Sequence, residues 1–213
     1  INGKATIADE QFTVYAVPTA RAGSFRVPGG LTISYDSGAV YAPLFLRVKS
    51  EEESKGTVHV LEPQDELLRR GITVSVPASG EREGLGLYLR TTGGWVFQTG
   101  TPDPGGKSYS TTLTRTLGEL ALFADNTRPT IGRLKVLPRS GRLYVAFRYY
   151  DNLSGVDAEE IKLYIDGQPA IPEIDGERKR VWYDADGILA RGKHTLRVTV
   201  RDRAGHTARS EEH

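Results

Sequence analysis

Apolar residues recur at every second position in short runs along most of this chain. Leu31, Ile33 and Tyr35 share one side of an extended segment, with Thr32 and Ser34 opposite. Leu44, Leu46 and Val48 alternate with Phe45 and Arg47, and Val58 and Val60 flank His59. Ile72, Val74 and Val76 alternate with Thr73 and Ser75, and Leu85, Leu87 and Leu89 with Gly86 and Tyr88. Successive side chains of a strand point to opposite faces, so a period of two predicts strands with one buried and one wetter face. Phe12 to Val17 reads as one earlier strand, and Thr111–Arg115 and Glu119–Phe123 as two later ones. The turn-rich tract TGTPDPGGKSYS after Trp95 reads as a long hairpin connection.

The second half alternates more cleanly. Leu143, Val145, Phe147 and Tyr149 face one way, with Arg142, Tyr144, Ala146 and Arg148 opposite. Ile161, Leu163 and Ile165 repeat the pattern, as do Leu196, Val198 and Val200 against Thr195, Arg197, Thr199 and Arg201. Asp166-Gly167 fits a tight hairpin turn. Arg203-Ala204-Gly205-His206 fits a turn into a last edge strand, and the SEEH tail is expected to be disordered. Helical signals are few. Pro63–Arg70, with Pro at its start and Gly71 after it, predicts a short helix. Glu51–Lys55 reads as a solvated charged loop. The tract Asp125-Asn126-Thr127-Arg128-Pro129 is polar, ends in Pro and has no apolar period, so the domain boundary is placed there. The expected architecture is all-β: two tandem β-sandwich, Ig-like domains, 1–126 and 127–213, with very little helix.

Composition narrows the function classes. The 28 Lys and Arg against 27 Asp and Glu leave a formal charge of +1, which argues against nucleic acid as a partner. No apolar run approaches the roughly 18 residues of a membrane-spanning helix, so no membrane insertion is expected. The absence of Cys excludes disulfides, thiolate zinc sites and Cys nucleophiles. It suits an exported protein, and an extracytoplasmic location is expected. The chain begins at Ile1 without a leader pattern and contains no Met, which fits a mature chain or a piece of a longer one.

A family likeness rests on four local patterns in the second half. They are Asp151, Ser154, Gly155 and Val156; Ile165, Asp166 and Gly167; Gly192 and His194; and Asp202, Ala204, Gly205 and His206. Together they resemble bacterial Ig-like and fibronectin type III-like modules. The first half carries LEPQDELLRRGITVSVP and TLGELALFADNTRPTI. It resembles the β-sandwich modules that follow lysostaphin-type zinc metallopeptidase domains in exported bacterial proteins. It also bears a fainter likeness to the ZU-type domains of ankyrins and netrin receptors. The peptidase zinc cluster has no counterpart in the four histidines, His59, His194, His206 and His213, which contain no HxH. The resemblance implies a non-catalytic module pair, without cofactor and monomeric, appended to a cell-envelope or secreted protein. Its partners would be cell-wall polymer, glycan or other domains of the same chain.

Two groups of residues are candidate sites. Asp151, Asn152, Asp157 and Asp202 sit in loops that follow strands and could converge at one pole of a sandwich, where several oxygens would bind Ca²⁺. They lack the spacing of a dedicated calcium loop, and the plainer reading has them satisfy turn amides, with Asp157 capping the turn before Ile161. Arg178, Lys179 and Arg180 beside Trp182 and Tyr183 combine cations with aromatics, which suits an anionic polymer or a sugar. The plainer reading is an exposed hairpin kept soluble by its charges. The alternatives to a scaffold are therefore a carbohydrate-binding or adhesin module, and a hydrolase with an unrecognised site. Neither G-x-S-x-G nor a P-loop is present.

Overall fold

Most of the alternating runs form strands, and antiparallel pairing recurs along the chain. A computed structural model describes residues 13–78, 83–139, 142–185 and 192–212. In chain order the first strands are β1 (Val14–Val17), β2 (Gly23–Arg26), β3 (Thr32–Tyr35), β4 (Leu44–Glu53) and β5 (Gly56–Glu62). They are followed by β6 (Ile72–Pro77), β7 (Leu85–Thr91), β8 (Gly94–Thr99), β9 (Ser108–Leu113) and β10 (Glu119–Ala124). The remainder are β11 (Thr130–Ile131), β12 (Lys135–Arg139), β13 (Arg142–Tyr150), β14 (Lys162–Ile165), β15 (Gln168–Ala170), β16 (Glu173–Asp175), β17 (Arg180–Asp184), β18 (Leu196–Arg201) and β19 (Thr207–Glu212). The one helical element among the described residues is a 3-10 turn, Ala158–Glu160. No helix among those residues is long and apolar enough to cross a membrane.

The chain divides into two compact units, 1–79 with 89–93 and 102–122, and 80–88 with 94–101 and 123–213. In the first, one sheet runs β2-β3-β6-β9. Its inward residues are the predicted alternates: Leu31, Ile33, Ile72, Val74 and Val76 are buried. A six-stranded sheet, not confined to the first unit, has the order β1-β4-β5-β10-β7-β8. Here period two gives way, because β5 buries Val58, His59, Val60 and Leu61 in succession. A strand covered on both faces has no wet side to carry polar residues. His59 is accommodated because its Nδ1 meets the Ser50 hydroxyl at 2.9 Å. Burial holds its pKa below the usual imidazole value, against the charge of Glu52.

The second unit carries a sheet of order β11-β13-β17-β16, with β12 also on β13, and a sheet of order β15-β14-β18-β19. Val145, Phe147, Tyr149 and Val181 from the former pack with Ile161, Leu163, Leu196, Val198 and Val200 from the latter as one core cluster. The hairpin predicted at Asp166-Gly167 forms between β14 and β15, with both turn residues at positive φ, 51° and 78°.

Several local expectations are corrected. Pro63–Arg70 is not helical: Leu68 bridges to Val40 and Leu67 to Thr116. The amides of Arg69 and Arg70 donate to the Ala39 carbonyl instead of closing a helical turn. Tertiary partners therefore override a helix signal only two turns long. Glu51–Glu53 is the end of β4, paired with Gly56–Val58, and not a loop. The Thr99–Ser108 connection closes no hairpin, since β8 ends one sheet and β9 pairs with β6 in another. A strand the sequence reading missed lies at Gly23–Arg26, where Phe25 stacks on Tyr15 at 4.6 Å. The tail is ordered through Glu212, with Ser210 opposite Val198 and Glu211 opposite Arg197. Phe12 and His213 lie outside the described residues.

Candidate functional site

Three aspartates of the second unit converge from three strand ends. Asp125 follows β10, Asp151 follows β13, and Asp202 follows β18. One carboxylate oxygen from each lies within 4.8 Å of the others. Asp125 and Asp202 are only 1% and 2% exposed, so two of the three charges are out of solvent.

Each carboxylate accepts from backbone amides. Asp125 Oδ1 accepts from the amide and hydroxyl of Thr127 at 3.1 and 2.8 Å, and its Oδ2 accepts from the Ser154 amide at 2.9 Å. Asp151 Oδ2 accepts from the amides of Leu153 and Gly155 at 3.1 and 2.6 Å. Asp202 Oδ1 accepts from the His206 amide at 2.8 Å, and its Oδ2 lies 3.2 Å from His206 Nδ1. Apart from the Asp125–Ser154 bond, which joins two distant loops, these are short-range turns in which a side chain satisfies the amides of its own loop. Asp151 Oδ1 is buried with no partner.

The environment pushes the groups apart. Burial opposes ionisation of Asp125, but the donors of Ser154 and Thr127 outweigh it and hold its carboxyl below the usual carboxylate range. The Ser154 hydroxyl approaches Asp125 without the geometry of a full hydrogen bond. Burial pushes Asp202 up, reinforced by the charges of Asp151 and Asp125 and opposed by the His206 amide and ring. Tyr88, on β7 and 0% exposed, has a hydroxyl without a hydrogen-bond partner. Burial first, then the charges of Asp125, Asp151 and Asp202, raises that hydroxyl's pKa well above its ordinary value.

Of the four expected metal ligands, Asp151 and Asp202 are in this cluster. Asn152 is exposed, and its side-chain amide lies against the Thr127 hydroxyl. Asp157 caps the 3-10 turn through the Glu159 amide at 3.1 Å. It also lines, with Glu160 and Asp202, an open polar pocket. Asp125 was assigned to the linker and missed. Its sequence signal is an Asp two residues before a Thr, the pattern of an Asx turn, which carries no information about a ligand.

The expected cation–aromatic patch is split by strand alternation. Arg180 and Trp182 share the outer face of β17, and the guanidinium lies 5.7 Å from the indole centre while donating to the Tyr144 hydroxyl at 2.9 Å. Tyr183, one position on, packs against the core. Arg178 and Lys179 are in the β16–β17 turn, where Lys179 takes a φ of 50° and Arg178 pairs with Asp175 at 3.7 Å. The same outer face carries residues the sequence reading did not single out. Arg148 lies opposite Arg180 across β13 and β17, and Lys135 opposite Ala146 across β12 and β13. Arg133, Lys135, Arg148, Arg180 and the exposed Tyr150 line one groove, whose lining includes no carboxylate.

The histidines pair separately. His194 Nδ1 meets Asp166 Oδ2 at 2.6 Å at the β14–β15 turn, and His206 meets Asp202. The Asp166 carboxyl is held below its usual range, first by His194 and then by the Thr195 amide. Compared with protein-family models and with curated proteins, the chain matches none.

Proposed function

We propose that this chain is a non-catalytic pair of Ig-like β-sandwich modules of a larger extracytoplasmic bacterial protein, of the kind that accompanies cell-wall peptidases. In this reading it positions that protein by holding anionic envelope polymer. The observation that carries the reading is the groove lined by Arg133, Lys135, Arg148 and Arg180 beside Tyr150, with no carboxylate in its wall. Four cations in one groove attract a polyanion with a strength that salt screens, Glu173, Asp175 and Asp184 lying apart from them in the neighbouring pocket beside Arg180, and a tyrosine face adds contact with sugar or phosphodiester linkages.

Retention on immobilised heparin, used as a generic polyanion, and on insoluble peptidoglycan tests this directly. The chain is expected to be retained at low salt and released as ionic strength rises. Lys135→Glu with Arg148→Glu, both at exposed positions, is expected to weaken retention at least tenfold while leaving the melting temperature within a degree or two. Equal elution of the variant and the parent chain overturns the proposal.

A second reading is a carbohydrate-binding or adhesin module that stacks neutral sugar on Trp182. It is favoured by the way Arg180 and Tyr144 brace the indole on the outer face. Loss of glycan retention in Trp182→Ala, unaffected by salt, would favour it over the polyanion reading.

A further inference from the structure

We propose that Asp125, Asp151 and Asp202 together bind one calcium ion inside the second unit.

The geometry fits a single ion of that size. Calcium binds oxygen at about 2.4 Å, so two oxygens on one ion lie at most about 4.8 Å apart. The three carboxylate oxygens are within 4.8 Å of one another. Magnesium, at about 2.05 Å, would draw opposed ligands to about 4.1 Å and would keep most of its water. The three carboxylates are held in place by five backbone amides, those of Thr127, Leu153, Ser154, Gly155 and His206.

The charge also requires a partner. Three acids converge where two are almost fully buried, and none of them meets a lysine or arginine among the described residues. His206 touches only Asp202. Burying carboxylates without a counter-charge is unfavourable. A cation at the centre removes that cost.

Two polar atoms in this region are buried without partners. The Tyr88 hydroxyl is wholly buried, lacks a partner, and lies within the field of all three carboxylates. Asp151 Oδ1 is likewise buried and unpartnered. Native structures satisfy almost all such atoms, and an ion coordinated by Asp151 would satisfy that oxygen. The polar pocket bordered by Asp157, Glu160 and Asp202 opens beside the cluster and offers a path for the ion.

Terbium is the first probe, because it takes calcium's oxygen sites and is sensitised by nearby tyrosine or tryptophan. The expected result is one-to-one, saturable terbium luminescence that calcium displaces and equimolar magnesium does not. Millimolar calcium is expected to raise the melting temperature above its value in EDTA, since a ligand of the native state stabilises it by mass action. Asp202→Asn keeps an oxygen acceptor for the His206 amide and is therefore expected to fold. It should bind calcium at least tenfold more weakly and lose the calcium-dependent shift. Absence of saturable terbium binding to the parent chain, or equal melting in calcium and EDTA, overturns the proposal. An undiminished calcium response in Asp202→Asn overturns it as well.

Discussion

Gly84→Val is expected to leave the second unit largely unfolded, and Gly84→Ala to lower its stability by about 3 kcal/mol or more. Two independent constraints meet at this residue. Its φ is +73°, a left-handed conformation that costs an L-residue about 1–2 kcal/mol. A Cβ built on it would lie 2.0 Å from the Asp125 carbonyl oxygen and 3.1 Å from that carbonyl carbon. The obstacle is backbone, so no side-chain rotation relieves it. Moving the backbone would break the Asp125 amide's 2.9 Å hydrogen bond to the Gly84 carbonyl, and would shift Asp125 away from Ser154. Gly176→Ala is the matched control. Nothing lies within 4 Å of a Cβ there and no positive φ applies, so a change within about 0.5 kcal/mol is expected. Thermal melts of the two alanine variants decide the matter: equal melting temperatures would mean that Gly84 can be rearranged at little cost.

The strands with one wet face could be read from sequence because burial on one side forces period two. Leu31/Ile33, Ile72/Val74/Val76 and Val145/Phe147/Tyr149 are such cases, and each set is buried. The reading faltered where a strand is covered on both sides. Tyr88 sat on the expected wet face of the Leu85–Leu89 run, yet Leu87 and Tyr88 are both 0% exposed. His59 is a second instance. Local composition also misleads where pairing decides the element. Glu51–Glu53 has the composition of a loop, but Gly56–Val58 supplies a ladder for it. Pro63–Arg70 has the signals of a helix, but its amides bond to Ala39, well upstream.

The candidate sites show the same division. Asp151 and Asp202 were legible because each follows a strand in a recognisable turn. Asp125 was not, since its proximity to the other two depends on how β10, β13 and β18 are placed. The basic face was half-legible: Arg180 and Trp182 were picked from a local run of cations and aromatics. Arg148 and Lys135 join them through strand register, which a local run cannot express. Tyr183 was grouped with Trp182 by adjacency, whereas adjacency in a strand puts two residues on opposite faces.

Phe147→Ala is expected to cost about 3–5 kcal/mol, while Arg148→Ala next to it costs no more than about 0.5 kcal/mol. Phe147 is 3% exposed and belongs to the core cluster that both sheets of the second unit contribute to. Truncation removes its apolar contacts and leaves a cavity that the surrounding Leu163, Val181 and Val198 can only partly fill, because interiors are close-packed and relax little. Phe147→Leu retains most of the volume and is expected to cost less than half as much. Arg148 is exposed on the outer face, and its removal exposes no core. Urea unfolding followed by tryptophan fluorescence in a Trp95→Phe background, which leaves Trp182 on β17 opposite Ala146 of β13, reports this sheet. A midpoint for Phe147→Ala close to that of Arg148→Ala would mean that β13 does not carry the core of this unit. The ordering Phe147→Ala, then Phe147→Leu, then Arg148→Ala is the signature of a strand buried on one face. It also separates loss of the scaffold from loss of the basic groove, since Arg148→Ala should weaken polyanion retention in a protein whose unfolding midpoint has hardly moved.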